Sequence, residues 1–426
     1  MENLKTWLEW AYHGNAYQRK RALDIWRANP DFFAGNPWMG CAVGDEAAIR
    51  AAFARDAEWI NLAGGPFGMP PLVAVTHSNL IREEGFEAPL LASARWLLAK
   101  RADVNGSWTD PRWPDAPLSA LYGAAGRTHN PAMTELLLAA GANPNDNESL
   151  YHSVESRDGT CTRLLLRAGA RVVSTNAIGR VLDYDKPDLL RLLLETGGDA
   201  KEEPWLHHAI LRGRSLEHIR MLMNAGADPH ATNKEGISLF RWAQLYGRTD
   251  VVNILGDAGI EEPLTVEERF VAACARGDKV TARTIREKEP DIFSRLNHRQ
   301  MHIMPELAGI GNLLAVRVML ALGWPLEIKA GWGATALNLA VYSGDAEMAA
   351  LLLGYGADWR TPHAYGDNVL GTLSYASQQE DIEDPAPRDY VGCARAIITH
   401  GVQSTDVQNY TFSPEVTAYF ESLPAA

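Results

Sequence analysis

The feature that most constrains this chain is a recurring block of apolar residues that closes on a glycine. Leu136-Leu137-Leu138 is followed by Gly141, Leu164-Leu165-Leu166 by Gly169, Leu192-Leu193-Leu194 by Gly197, Met221-Leu222-Met223 by Gly226, and Leu351-Leu352-Leu353 by Gly356. The turn glycines at 141, 169, 197, 226 and 259 are spaced by 28, 28, 29 and 33 residues, and Gly323 to Gly356 is again 33. A segment of that size is one supersecondary unit that buries its apolar face only against its neighbours. The 426 residues are therefore expected to form an extended array rather than two or three separate globular cores.

A second half of the unit is visible upstream of the glycine. Gly333-Ala334-Thr335-Ala336-Leu337-Asn338-Leu339-Ala340 closely resembles the first-helix motif of ankyrin repeats, with Ala336 at the proline position and Asn338 at the histidine position. Weaker copies are Leu206-His207-His208-Ala209, Phe240-Arg241-Trp242-Ala243, Pro71-Leu72-Val73-Ala74 and Pro117-Leu118-Ser119-Ala120. Small residues on the first helix admit the next repeat, and leucines on the second fill the space between layers. The glycine gives a left-handed cap, and a following Asp or Asn bonds turn amides at the base of a projecting finger. The resemblance implies an all-α ankyrin-repeat solenoid of about eleven helix-turn-helix repeats with β-hairpin or loop fingers and helical caps. Units at 148 to 172, 174 to 200 and 268 to 326 depart most from the motif.

Residues 1–35 read as an N-terminal cap of two amphipathic helices, with Trp7, Leu8 and Ala11 facing Ala22 and Leu23. Residues 413–426 read as a closing helix with Ser413 as N-cap and Pro414 in its first turn. Thr265-Val266-Glu267-Glu268 is a capping-box spacing after Pro263, so the array divides into 36–262 and 263–412, or runs on as one. Insertions lengthen the repeat at 78–89, at 105–114 with Trp108 and Trp113, and at 378–389. Such insertions map to loops, where they either tolerate drift or contact a partner.

Linear chemistry is absent. Gly331-Trp332-Gly333-Ala334-Thr335-Ala336 fits a dinucleotide fingerprint by its letters alone, with no strand before it and no βαβ unit around it. His207 occupies the motif histidine and is expected to bond within the turn network. Asp183, Asp185 and Asp188 read as a solvated turn or a contact for a basic partner. Cys41, Cys161, Cys274 and Cys393 lie more than 100 residues apart and read as small buried thiols, Cys41 and Cys274 in the same slot of two repeats. No cofactor and no metal site are indicated.

The resemblance implies a non-enzymatic scaffold for protein–protein interaction that grips a partner on its concave face, with an inhibitor or immunity-type protein as one variant of that class. The candidate partner-binding residues are Phe67, Trp108, Trp113, Trp332 and Tyr365 on fingers, and Tyr122, Tyr151, Arg212, Tyr246 and Tyr342 on first helices. Packing of one finger on the next is the competing explanation for the finger aromatics. The alternative function is a small-molecule or catalytic site assembled in the groove from several repeats, which no linear motif would reveal. The net charge of −13 favours a partner with a basic surface and disfavours nucleic acid. No uncharged apolar stretch reaches the roughly 18 residues of a membrane span. The polar N-terminus shows no signal-peptide core, so a cytoplasmic location is expected.

Overall fold

The computed structural model describes residues 3–29, 34–379 and 388–423. These residues fall into two compact units, one ending at Asp199 and one starting at Ala200. In each, short antiparallel helix pairs stack in sequence order.

The first unit opens with helices Leu4–His13 and Ala16–Ala28. They bury Trp7, Leu8, Ala11, Ala22 and Leu23 between them, and the Trp7 indole donates to the Ala22 carbonyl at 2.7 Å. Five pairs follow: Pro37–Val43 with Glu46–Arg55, Pro71–Thr76 with Glu87–Ala99, Ala120–Tyr122 with Pro131–Ala139, Glu148–Ser153 with Thr160–Arg167, and Ala177–Asp183 with Pro187–Glu195. The insertion after the second of these first helices is packed. Leu80, Ile81 and Phe86 are buried, and the Asn79 amide donates to the Tyr12 carbonyl at 2.8 Å.

The second unit holds six pairs. They are Trp205–Leu211 with Leu216–Asn224, Leu239–Leu245 with Thr249–Asp257, Val266–Ala275 with Lys279–Lys288, Ile303–Gly309 with Leu313–Ala321, Ala336–Tyr342 with Ala346–Gly354, and Val369–Ser377 with Tyr390–Thr399. Helix Pro414–Glu421 closes it, with the Ser413 hydroxyl accepting the Val416 amide. Both halves of the Thr265–Glu268 capping box form, and Arg241 of the preceding pair bonds Glu262, Glu268 and the Pro263 carbonyl.

The local rules that make each repeat are visible in the side chains. The middle residue of each apolar run, Leu137, Leu165, Leu193, Leu222 and Leu352, is fully buried, each contributing about 1.5–3 kcal/mol of transfer free energy. The turn glycines are left-handed, as at Gly141 with φ +95°. A second glycine, between the two helices of a pair, is fixed by close approach: a Cβ on Gly44 would lie 2.6 Å from the carbonyl carbon of Pro89 in the next repeat. At the finger bases the carboxylate or amide of Asp103, Asn143, Asp228 and Asp358 accepts the amide two residues on, at 2.9–3.0 Å. Neighbouring fingers are tied by the same chemistry, Asn105 accepting the Asn143 amide and Asn145 the Arg171 amide, both at 2.8 Å.

Strand pairing is limited among the described residues. Ser107–Thr109 pairs antiparallel with Pro117–Ser119, and Lys329–Ala330 with Ala334–Thr335. Most other fingers are turns and loops. Gly331 and Gly333 are the left-handed residues of the second hairpin, which accounts for the glycine spacing that imitates a nucleotide fingerprint. All four cysteines are buried and unpaired.

Candidate functional site

In the second unit, two successive fingers and the first helices behind them build an aromatic surface. Trp332 sits at the tip of the 329–335 hairpin, and its carbonyl accepts the amide of Ala364 on the next finger at 3.1 Å. Its ring lies 4.9 Å from His363, 6.0 Å from Tyr365 and 6.1 Å from Tyr342. Tyr342 in turn stacks on Tyr375, 6.5 Å away with 12° between the planes. Tyr365 is 80% exposed and Tyr375 58% exposed. Burial and the neighbouring Tyr342 and Tyr365 hydroxyls push the Tyr375 phenol above its ordinary range.

The backbone under this surface is firmly held. Thr335 and Asn338 form a reciprocal capping box, and the Asn338 amide donates to Thr372 of the next first helix at 3.3 Å. Asn338 thus performs between repeats the bonding that the motif assigns to histidine. His207, where the motif histidine is retained, is buried and its Nε2 bonds the Ile237 carbonyl at 3.0 Å. Burial holds this imidazole below its ordinary pKa, as a neutral ring.

Elsewhere in the same unit Tyr246 is a buried connector. Its hydroxyl donates to Glu306, while Arg299 bonds both oxygens of Glu306 at 2.8 Å and lies over the Trp242 ring at 4.5 Å. Desolvation, with Glu306 second, raises the Tyr246 phenol well above its usual value.

The first unit carries a polar row on the equivalent face. Arg127 donates to the Tyr12 carbonyl and, at 2.9 Å, to His13 Nδ1. Phe67, Trp108, His77 and Tyr122 surround these groups with ring separations of 5.6–6.2 Å. Tyr122 contacts His152, which bonds Glu155 at 2.8 Å and faces Glu148 at 3.4 Å. Arg180 bonds the same Glu155 at 2.6 Å and lies over Tyr151 at 5.2 Å. Burial works against a charge on His152, but the two carboxylates outweigh it and its pKa is raised. Among the described residues no group of three or more His, Cys, Asp or Glu is arranged to hold a metal.

The family model for the ankyrin repeat matches residues 332–363, the span that carries the Trp332 finger, helix Ala336–Tyr342 and its partner helix. That span is an ankyrin repeat. The other pairs repeat that unit's helix order, and most of them its turn glycine. Among solved structures the chain is similar to the human ASB11 ankyrin repeat domain, at 21% identity, over 54% of this chain and 99% of that one, with a TM-score of 0.40. No curated protein matches it.

The stacked helix pairs and their fingers place the ten candidate residues in three settings. Trp332, Tyr342 and Tyr365 come together on the aromatic surface. Phe67, Trp108 and Tyr122 also meet, but Trp108 and Tyr122 are buried, as is Tyr246 in the second unit. Of the two explanations for Trp108, a partner contact or packing of finger on finger, its burial fits the second. Its indole donates to the Phe67 carbonyl at 2.7 Å, so it pins one finger to the previous one. Trp113 is 67% exposed and Arg212 is exposed, while Tyr151 is half-buried beneath Arg180. The sequence reading missed Tyr375, although it stands 33 residues after Tyr342, the same step that separates Tyr365 from Trp332. It also missed Arg127, His13 and the Arg299–Glu306 pair, whose contacts follow no period.

Proposed function

We propose that the chain is a non-enzymatic scaffold for protein–protein interaction that holds a basic segment of a partner protein on the surface of Trp332, Tyr342, Tyr365 and Tyr375. The observation that carries this reading is the exposure of Tyr365 and Tyr375 in one contiguous aromatic cluster. Tyrosine and tryptophan are the side chains that dominate binding hot spots, and an exposed aromatic cluster has no packing role to explain it.

Charge favours a cationic ligand there. Residues 301–426 hold 14 Asp and Glu against 5 Lys and Arg, so this stretch carries −9 of the net −13. Aromatic faces attract ammonium and guanidinium groups by about 0.5–2 kcal/mol each, and an acidic field speeds their arrival. Within this reading the chain acts as an inhibitor or immunity-type protein when the segment it holds belongs to the partner's active surface. Four buried, unpaired cysteines support a reducing, cytoplasmic setting.

Co-purification with the wild type, Tyr365→Ala/Tyr375→Ala and Trp113→Ala tests the reading. The partner should be recovered by the wild type and by Trp113→Ala, and lost with the double variant and with rising salt. Equal recovery by the double variant would remove this surface from the account.

A further inference from the structure

A separate feature of the first unit is a cation that no carboxylate engages among the described residues. Arg127 sits at the end of the turn Gly123–Arg127, and its bonds run to the Tyr12 carbonyl and His13 Nδ1, with the Tyr122 hydroxyl acting on its charge. Its Nε is buried with no partner. Nearby Arg112 differs, since Asp110 engages it at 2.6 Å. Glu155, the carboxylate further along the row, is taken by Arg180 and His152. Among the described residues the charge of Arg127 is thus left without a carboxylate counter-ion, a costly arrangement for a sunken guanidinium.

The bond to His13 also fixes that residue's chemistry. A guanidinium only donates, so His13 Nδ1 must be the lone-pair nitrogen and the ring proton must sit on Nε2. Nε2 has no partner among the described residues. His13 is half-buried, with Phe67 at 5.8 Å and Trp108 at 6.1 Å framing its ring. Burial, then Arg127 and Arg112, lower its pKa to about 3 against the opposing pull of Asp110. The imidazole therefore stays neutral at pH 7 and keeps this tautomer.

We infer that His13 and Arg127 form an oxyanion-binding site, in which the Nε2–H of His13, polarised by the guanidinium behind it, donates to a carboxylate or phosphate oxygen. The anion supplies the negative charge that Arg127 lacks, and the Phe67 and Trp108 rings accommodate a flat or apolar body attached to it. The site lies in the first unit and its test does not involve the aromatic surface of the second. Failure here leaves the scaffold reading untouched, and the reverse holds as well.

The test uses the full chain with three probes, benzoate, phenyl phosphate and neutral benzamide, titrated by calorimetry and followed on the imidazole nitrogens by NMR. At least one of the two anions should bind saturably at one site, about tenfold or more tighter than benzamide, and His13→Phe should weaken it about tenfold or more. Binding of benzoate alone assigns a carboxylate ligand, and binding of phenyl phosphate alone assigns a phosphate. In the free wild type, the His13 nitrogens should show a bare Nδ1 and a protonated Nε2, a readout that stands even if a variant fails to fold. The inference is overturned if neither anion binds, if benzamide binds equally well, if folded His13→Phe binds like the wild type, or if Nδ1 carries the proton.

Discussion

Tyr375 stands 33 residues after Tyr342 and its ring stacks on it, 6.5 Å away with the planes 12° apart. One repeat length thus brings the same slot of two first helices into contact, while the same step puts Tyr365 beside Trp332 on the fingers. Because Tyr375 is 58% exposed, Tyr375→Ala should cost no more than about 1.5 kcal/mol, the scale of an aromatic pair. Urea unfolding checks this, and a larger loss would make the residue a core element.

The two tryptophans of the 105–114 insertion should separate cleanly. Trp108 is buried and bonded to the Phe67 carbonyl, whereas Trp113 is 67% exposed. Trp108→Ala should lose about 3–5 kcal/mol and Trp113→Ala less than about 0.5 kcal/mol in denaturant unfolding.

Arg101 occupies the slot that glycine fills after most of the other second helices, and it does so at φ +70°. A non-glycine side chain there costs about 1 kcal/mol, offset in part by the extra entropy a glycine adds to the unfolded chain. Arg101→Gly should raise the unfolding free energy by up to about 1 kcal/mol. A loss of stability would show that its side chain does more in the fold than its backbone strain suggests.

Removing the carboxylate from the second unit's buried trio should be costly. Glu306 accepts from Arg299 and Tyr246 together, so Glu306→Ala strands a guanidinium over Trp242. A loss of about 3 kcal/mol is expected, and Glu306→Ala combined with Arg299→Met should recover part of it, measured as a double-mutant cycle.

Acid should destabilise the first unit through His77. This ring is fully buried, and burial first, then Arg127, lower its pKa to about 3, against an unfolded value near 6.5. Below pH 6.5 the unfolded chain takes up a proton that the folded chain refuses, so stability falls as pH drops from 6.5 toward 3, by about 1.4 kcal/mol per unit. His152 acts in the opposite sense, its raised pKa adding stability below pH 6.5 that is lost as pH rises through the folded value. Unfolding of His77→Phe at pH 7 and pH 5 should show a smaller drop than the wild type.

The repeats were legible because their determinants are local. A turn glycine, an apolar run and a finger-base Asp or Asn each act within a few residues, and they recur. The side chains that face a ligand obey other rules. Trp108 and Tyr246 were expected to line a groove, yet each is buried, its polar tip satisfied by the Phe67 carbonyl and by Glu306. Arg127 and His13 are 114 residues apart in sequence, and no spacing rule predicts that bond. Tyr375 is the instructive omission, since the 33-residue step from Tyr342 was already in the sequence.

The most direct test of the central claim is selection of a displayed random-peptide library on the wild-type chain, with every enriched peptide re-measured on folded Tyr365→Ala/Tyr375→Ala. The account predicts peptides rich in Lys and Arg whose affinity falls at least about tenfold on the double variant, the loss of two aromatic contacts. Enriched peptides without basic residues, or basic peptides that bind both proteins equally, would contradict it.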